Sequence, residues 1–278
     1  MQMPKLLSPN SGDTVALLAL SGPCTSREKF KRAITTMVGM GLEVHVMQSC
    51  YSIHPELDYL AGYDDLRLND LHTAFADKNI KGIFAMRGGY GAGRLLPYIN
   101  YDLIRKNPKV FVGYSDVTAM HIALNQFCDL VTFHGAMPYS DPEDVSLSHT
   151  IQFSGLQTLF PGETTGRITG GNLSVIASTL GTPYEIDTRR RILLLEEVGE
   201  PLYKIDRLLL QLKLAGKFSH AAGIIFGDFC GLPLEDLYPI IRELVLTEKK
   251  PTVWGLHCGH TSPNLMIPLG SLFSIRQI

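Results

Sequence analysis

The first half of this 278-residue chain alternates short apolar runs with segments of helical periodicity, and this alternation limits the possible folds more than any other feature. Apolar runs that end at turn residues are typical of buried strands, and apolar side chains recurring on one face are typical of helices. The pattern predicts strands at residues 14–20, 42–47, 82–86, 110–113 and 130–133, and helices at 26–38, 64–76 and 117–127. Such repeated alternation predicts an α/β fold built on a doubly wound parallel sheet.

The pattern changes after residue 140. Residues 141–165 carry Pro, Asp, Ser and Gly with weak periodicity, which predicts a linker. We therefore expect two domains, at residues 1–140 and 166–278, of which the second is smaller and mixed α/β. Its predicted elements are strands at 192–195 and 224–226 and helices at 205–214 and 234–246.

Charge and cysteine content exclude several classes of protein. The chain has 25 Lys and Arg against 27 Asp and Glu, which argues against a nucleic-acid binder with a broad basic surface. Its five cysteines are odd in number and form no CxxC pair, so we expect neither a disulfide scaffold nor a structural zinc site. The first residues lack a secretory signal pattern, and no run approaches the roughly 18–20 apolar residues of a membrane span. We expect a soluble, cytoplasmic protein with no membrane partner.

One candidate site lies where the predicted strand at 110–113 runs directly into a helix, in the segment VFVGYSDVT (110–118). A sharp strand-to-helix turn exposes a serine hydroxyl, and the helix N-terminus offers free N–H groups to a developing oxyanion. Ser115 is thus a candidate nucleophile. The segment is not GxSxG, because Val117 occupies the place of the second glycine. The alternative is that Ser115 or Asp116 only caps the helix.

A second candidate is the glycine-rich segment MRGGYGAGR (86–94), which follows a predicted buried strand. Its glycines would let the backbone approach a ligand closely and donate an N–H to an oxyanion. Gly88 and Gly93 have the spacing of a phosphate loop, but Arg94 and Leu95 replace the required Lys and Ser/Thr, and the dinucleotide fingerprint also fails. A plain tight turn is the alternative.

Two segments of the second half carry acids and histidines. Glu196 and Glu197 end an apolar strand in LLLEEVGE (193–200), and either could orient a catalytic histidine or be a solvated loop acid. His257 and His260 lie in the loop HCGHTSPN (257–264). A general base needs one ring nitrogen for the nucleophile and the other for an acid, whereas a zinc site would need a third ligand that the spacing does not supply. A structural loop histidine is the alternative.

Six blocks of the chain, taken in order, resemble the LD-carboxypeptidase family of serine peptidases, which includes muramoyltetrapeptide carboxypeptidase and the microcin C immunity peptidase. The resemblance runs from about residue 12 to residue 270. It implies a Rossmann-like N-terminal domain with a parallel sheet and a mixed, barrel-like C-terminal domain. The blocks are RGGYGAGRLL (87–96), GYSDVTAMH (113–121), GGNLSVIASTLGTP (170–183), LLLEEVGEPLYKIDRLLLQL (193–212), GIIFGDF (223–229) and GHTSPNLMIPLG (259–270).

The resemblance implies a Ser–His–Glu triad, whose members fall on Ser115, His260 and Glu196. It also implies an oxyanion hole of two backbone amides, which fall on Asp116 and on one glycine of the Gly88–Gly89 pair, with Gly89 preferred. Glu197 stands where many relatives have Asp, so the acid could also be Glu197. Neighbouring strand residues point to opposite faces, so only one of the two glutamates can face His260, and the other should face away or into solvent.

The resemblance implies hydrolysis of an L,D peptide bond that releases terminal D-alanine from a murein tetrapeptide during peptidoglycan recycling, by a homodimer with no metal or organic cofactor. Two alternatives remain open. One is a microcin C-type peptidase that cleaves an aminoacyl-nucleotide, although the aromatic stacking loop expected for such a substrate is not identifiable in the sequence. The other is a non-catalytic nucleotide-binding module built on the glycine-rich loop.

Overall fold

The computed structural model describes residues 1–147 and 155–276, which form two six-stranded sheets flanked by helices. The strands are β1 (Thr14–Leu18), β2 (Glu43–Val46), β3 (Ile80–Ala85), β4 (Val110–Gly113), β5 (Thr132–His134), β6 (Gln157–Phe160), β7 (Thr164–Asn172), β8 (Arg191–Val198), β9 (Gly223–Cys230), β10 (Thr252–Trp254), β11 (Ile267–Leu269) and β12 (Leu272–Ile275). The α-helices are α1 (Arg27–Gly39), α2 (Asp64–Ala76), α3 (Tyr101–Lys106), α4 (Thr118–Cys128), α5 (Leu173–Ser178), α6 (Leu202–Leu214), α7 (Lys217–His220) and α8 (Leu234–Leu244). Short 3₁₀ turns lie at Gln48–Tyr51, Ala92–Tyr98, Ser115–Val117 and Leu246–Glu248.

The first sheet has the order β11-β5-β4-β3-β1-β2, in which β1 to β5 are parallel and β11 is antiparallel to β5. Its central strands are buried on both faces because helices cover both, which is why they are continuous apolar runs in the sequence. Alternate residues of β1 enter two different clusters: Ala16 and Leu18 pack in one, and Val15 and Leu17 in the other. The predicted α/β architecture is confirmed, and the antiparallel β11 makes this otherwise parallel sheet a mixed one.

The second sheet has the order β12-β7-β8-β9-β10-β6 and is curled into a half-barrel. Strands β7 to β10 are parallel, and the two edge strands are antiparallel to their neighbours. Within β8, Leu193 and Leu195 pack into one buried cluster, and Ile192 and Leu194 into another. The chain is therefore a two-part α/β protein with a mixed second sheet.

The predicted elements are found with small shifts at their ends, and the helix at Asp64–Ala76 and the strand at Val110–Gly113 have the predicted bounds. Several strands were not predicted. β7 contains three glycines and lacks an apolar alternation, and β6 lies within the predicted linker at 141–165. β11 belongs to the predicted second domain, 166–278, but it pairs with a strand of the predicted first domain, 1–140. The domain boundaries stay a prediction.

The carboxyl ends of several parallel strands hold the polar residues of interest. Ser115 follows β4, His134 ends β5, Asn172 ends β7, and Glu196 and Glu197 lie near the end of β8. Ligands of open α/β sheets bind beyond these strand ends. Among residues 1–147 and 155–276, no helix combines the length and the apolar character needed to cross a bilayer.

Candidate active site

Ser115 lies in a strained turn between β4 and α4. Its φ is +62°, a left-handed conformation that is uncommon for a residue other than glycine and costs of the order of 1–3 kcal/mol. The residue begins a 3₁₀ turn that leads directly into α4. Fixed by the buried strand before it and the helix after it, the half-buried serine lines a cleft. This is the placement that the sequence predicted for a nucleophile.

The glycine-rich loop passes directly beside this serine. A Cβ at Gly88 would lie 2.8 Å from both Cβ and Oγ of Ser115, so only glycine fits there without displacing the hydroxyl. Gly89 has a φ of +121° and, like Ser115 and Asp116, lines the cleft. Asp116 is the second residue of its 3₁₀ turn, where backbone amides have no carbonyl partner within the helix. The structure therefore brings the two predicted oxyanion-hole residues to the cleft that holds Ser115.

The Asp116 side chain has a separate task, which is to hold this loop. Its carboxylate accepts hydrogen bonds from the Ser21 hydroxyl at 2.6 Å and from the Ala92 amide at 2.8 Å. Burial raises the pKa of Asp116 above its ordinary value, and these hydrogen bonds partly oppose the rise. The side chain thus ties together the loop after β1, the glycine-rich loop and the turn that holds Ser115. The local sequence indicates only a helix cap for this side chain.

The arginine that ends the glycine-rich segment is also a brace. Arg94 forms an ion pair with Asp64 at 2.8 Å, and the fully buried Arg67 contacts the same carboxylate and the carbonyl of Leu20. Arg94 occupies the position at which a phosphate loop carries its lysine. Because its guanidinium is engaged by Asp64, the network supports a role for the loop in backbone positioning rather than in phosphate binding.

Glu196 and His260 meet on the second sheet, as predicted. Glu196 is fully buried near the end of β8, and its Oε2 lies 3.0 Å from Nδ1 of His260, whose side chain is 20% exposed. Burial by itself would raise the pKa of Glu196, but the imidazoles of His134 and His260 lower it below its ordinary value. An acid on Nδ1 leaves Nε2 of His260 for a reacting hydroxyl.

His134 is a site residue that the sequence analysis missed. It is completely buried, and its Nε2 lies 3.7 Å from Oε1 of Glu196, the oxygen that His260 does not use. Its ring also packs against Tyr114, with centroids 5.8 Å apart. The missed signal was positional: His134 ends β5 opposite Gly113 of β4, and sites of α/β sheets form at the carboxyl ends of parallel strands.

Glu197 points away from His260 and is buried, not solvated. Its carboxylate accepts hydrogen bonds from Nδ2 of Asn172 at 2.9 Å and from the amide and hydroxyl of Ser174 at 2.8 and 2.5 Å. It therefore stabilises the N-terminal turn of α5, where Asn172 is the N-cap. Of the two adjacent glutamates, only Glu196 contacts a histidine among the residues that the structure describes. The alternative of solvated loop acids is wrong for both.

The two sheets touch beside this site. A Cβ at Gly171 of β7 would lie 2.5 Å from Oγ1 of Thr118, the first residue of α4, and that oxygen accepts a hydrogen bond from the Asn172 amide at 3.0 Å. Tyr114, which precedes Ser115, packs edge-on against His260, with ring centroids 4.8 Å apart. No hydrogen bond joins Ser115 to His260 directly within the described part of the chain.

The loop of His260 contains His257, which had been considered as a metal ligand. His257 is mostly exposed, and its Nδ1 lies 3.5 Å from Asp228. Within residues 1–147 and 155–276, no group of three or more His, Cys, Asp or Glu side chains could hold a metal ion. Cys230 instead anchors the loop, because its thiol donates a hydrogen bond to the carbonyl of His260 at 2.6 Å.

The cleft at Ser115 has a volume of ≈ 330 Å³ and runs between the two sheets. Gly89 and Tyr90 line one side, and Asn172, α5 and the end of β8 line the other. A cavity of this size suits a small molecule or a short peptide segment. A hydroxyl in a strained turn, amides beside it and a histidine held by a buried acid form a constellation suited to nucleophilic acyl transfer.

Both halves of the chain match known protein-family domains. Residues 15–135 match the LD-carboxypeptidase N-terminal domain, and residues 165–275 match the LD-carboxypeptidase C-terminal domain. The chain belongs to the LD-carboxypeptidase family. It is 38% identical to a probable murein peptide carboxypeptidase of Bacillus subtilis, covering 96% of this chain and 89% of that protein. It is 33% identical to a putative carboxypeptidase of Streptomyces coelicolor, covering 96% and 91% of the two chains.

Solved structures share the fold of this chain. An MccF-like protein from Bacillus anthracis superposes with a TM-score of 0.89 at 28% identity, over 100% of this chain and 97% of that one. A muramoyltetrapeptide carboxypeptidase from Oxalobacter formigenes superposes with a TM-score of 0.79 at 25% identity, over 95% of each chain. The chain is thus similar in structure both to an MccF-like protein and to a muramoyltetrapeptide carboxypeptidase.

Proposed function

We propose that this member of the carboxypeptidase family is a serine-type LD-carboxypeptidase, which hydrolyses an L,D peptide bond of murein tetrapeptide and releases D-alanine. The observation that carries the proposal is the 3.0 Å contact between the buried Glu196 and Nδ1 of His260, in a protein whose Ser115 hydroxyl lines the cleft between the sheets. The similarity to a murein peptide carboxypeptidase supports the choice of substrate. A cytoplasmic role in peptidoglycan recycling is part of the proposal.

The first half of the reaction forms an acyl-enzyme. His260 Nε2 takes the proton of Ser115 while Oγ attacks the carbonyl carbon of the scissile bond. Glu196 holds the imidazole in the required tautomer and stabilises the imidazolium, as the acid of a triad does. The carbonyl electrons move onto oxygen, where the amides of Gly89 and Asp116 donate hydrogen bonds to the oxyanion. When the intermediate collapses, the C–N bond breaks and His260 protonates the nitrogen of the departing D-alanine.

The second half returns the enzyme to its starting state. A water molecule gives a proton to His260 Nε2 and attacks the ester carbonyl. The second tetrahedral intermediate uses the same amides, and its collapse breaks the ester bond and returns the proton to Ser115. The products are a tripeptide and D-alanine. Each step uses groups of the chain and water, so the mechanism requires neither a metal nor an organic cofactor.

The direct test incubates the protein with murein tetrapeptide and measures free D-alanine and tripeptide by mass spectrometry. Both products should form, and the rate should be unchanged by EDTA. Intact tetrapeptide after prolonged incubation with folded protein would reject the substrate. Loss of activity in EDTA that is restored by zinc would reject the metal-free mechanism.

A second candidate is an aminoacyl-nucleotide peptidase of the microcin C type. It is favoured by the similarity to MccF, because one MccF structure, 25% identical to this chain, is a complex with aspartyl sulfamoyl adenosine. The same triad would cleave an amide bond of that substrate. Parallel assays with murein tetrapeptide and a processed aminoacyl-nucleotide distinguish the two candidate functions.

The proposal also includes a homodimer. Sedimentation would test this oligomeric state.

A further inference from the structure

A second cavity lies beside the glycine-rich loop and has no role in the mechanism above. It has a volume of ≈ 710 Å³ and shares Gly89 and Tyr90 with the cleft of Ser115. Its remaining lining includes Arg87, Tyr59 and Asp58. Tyr59 and Tyr90 are 49% and 55% exposed, with ring centroids 6.0 Å apart. A ligand bound at Gly89 could therefore extend into this cavity.

Arg87 is the cation among the residues that line this cavity. Its guanidinium donates a hydrogen bond to the carbonyl of Pro23 at 3.1 Å and lies 5.7 Å from the ring centroid of Tyr139. Within residues 1–147 and 155–276 it forms no ion pair, although Asp58 lines the same cavity. Arg67 and Arg94, by contrast, both pair with Asp64. A half-buried guanidinium with free donors is suited to an anionic ligand.

The position of Arg87 relative to the proposed oxyanion hole indicates which anionic group of a substrate it would bind. In a carboxypeptidase substrate, the terminal carboxylate belongs to the residue that directly follows the scissile carbonyl, about 4 Å further along the chain. Arg87 precedes Gly89 by two residues, so their Cα atoms are at most roughly 7 Å apart. An arginine side chain can span such a gap. An oxyanion at the Gly89 amide therefore leaves the terminal carboxylate within reach of the guanidinium.

We propose that Arg87 binds the terminal α-carboxylate of the residue that is released, and that it thereby selects a free C-terminus. The inference rests on the proposed function, in which Gly89 contributes to the oxyanion hole. The planar guanidinium matches a carboxylate with two parallel hydrogen bonds, a geometry that lysine does not reproduce. Arg87 is thus a specificity-determining residue, separate from the Ser–His–Glu group that performs the chemistry.

The test compares two substrates: the tetrapeptide with a free terminal D-alanine and the same peptide with a C-terminal carboxamide. The wild-type kcat/KM should be about 10- to 100-fold lower for the amide, the range expected when a hydrogen-bonded charge is lost. Arg87→Gln should lose a similar factor on the free acid and almost nothing on the amide, so the preference falls close to one. Arg87→Lys should keep part of the preference.

Asp58→Asn is the matched control, because it changes a charge in the same cavity and should keep the preference for the free acid. A wild-type enzyme that cleaves both peptides equally, or an Arg87→Gln variant that keeps the preference, would overturn the inference and leave the proposed function intact. A wild-type enzyme that cleaves neither peptide would refute the proposed function itself. If Arg87→Gln is inactive on both peptides, a rescue experiment with Arg87→Ala takes its place. Added methylguanidinium should restore cleavage of the free-acid peptide by Arg87→Ala, and no restoration would overturn the assignment.

Discussion

The turn that holds Ser115 and the loop that holds His260 are positioned in different ways. Ser115 is placed by the backbone: a buried strand, a left-handed residue and a helix follow one another directly. His260 lies in an irregular loop, and side chains distant in the sequence hold it, chiefly Glu196 and Cys230. The first arrangement can be inferred from a local sequence pattern. The second depends on two segments that only the fold brings together.

The two regions also differ in the surroundings of their buried carboxylates, and therefore in the pKa of each. Asp116, beside Ser115, accepts hydrogen bonds from neutral donors, and burial raises its pKa although these bonds and the charge of Arg67 oppose the rise. Glu196 faces two imidazoles, which lower its pKa in spite of complete burial. Asp116 therefore serves as a brace within the first region. Glu196 carries a charge that is available to a histidine cation.

The largest effect is expected for Ser115→Ala. Without the hydroxyl there is no nucleophile, so kcat should fall by about 10⁴-fold or more, as in other serine triads. The stability should change little, because Ser115 is a half-buried residue that lines the cleft. Tetrapeptide hydrolysis and thermal unfolding measure the two quantities. A folded variant with the wild-type kcat would remove Ser115 as the nucleophile.

Glu196→Gln should be next, with kcat about 10³- to 10⁴-fold lower, because the amide keeps the shape but removes the charge that stabilises the imidazolium. Hydrolysis rates at saturating substrate measure this loss. If Glu197→Gln lost more activity than Glu196→Gln, the acid would be Glu197, and the contrast between the two faces of β8 would be reversed.

Gly88→Ala tests whether the backbone alone places the nucleophile. The new Cβ would lie 2.8 Å from Cβ and Oγ of Ser115, so the hydroxyl must shift, and such a displacement can lower kcat by about 10²-fold. Gly93→Ala is the matched control, since a Cβ there meets no atom within 4 Å. Equal activity in the two alanine variants would show that the serine tolerates displacement.

Glu197→Gln should reduce stability more than activity. Its carboxylate accepts hydrogen bonds from Asn172, Ser174 and the Val198 amide, and an amide in its place leaves one or more of these donors without an acceptor. We expect the free energy of unfolding to fall by about 1–3 kcal/mol, measured by urea denaturation. Unchanged stability would mean that the N-terminal turn of α5 does not depend on this residue.

The smallest expected effect concerns how folding stability depends on pH, to which Glu196 and Asp116 should contribute with opposite sign. The folded-state pKa of Glu196 is below its ordinary 4.5, so its stabilising contribution is complete above that pH and is lost as the pH falls through the folded value. The folded-state pKa of Asp116 is above its ordinary 3.8, so its contribution declines as the pH rises from there through the folded value.

Urea unfolding between about pH 3.5 and 6 should therefore show opposite trends. The stability difference between wild type and Glu196→Gln should grow with pH, and that between wild type and Asp116→Asn should shrink. Parallel trends would mean that the two carboxylates share one electrostatic environment.

Much of the first sheet follows from local pattern. Apolar runs covered on both faces give β1, β3 and β4, and the predicted helix at Asp64–Ala76 has the observed bounds. β7 has no such pattern, because its glycines exist for close approach to β8 and α4 rather than for apolar burial. β11 is a three-residue strand that extends the first sheet from the far end of the chain. Pairing over such a distance leaves no periodic trace in the sequence.

The candidate site likewise combines residues that short sequence segments identify with surroundings that only the fold decides. Strand-to-helix order and the ordered family blocks single out Ser115, Glu196 and His260 before any coordinates are known, because those signals lie in short segments. Their environment was decided by packing between segments. The pleat of β8 turns Glu196 toward two histidines and Glu197 toward α5, and the adjacency of β4 and β5 brings the buried His134 to the acid. A side chain's chemistry is written in the sequence, but its partners, its burial and hence its pKa depend on which distant strands become neighbours.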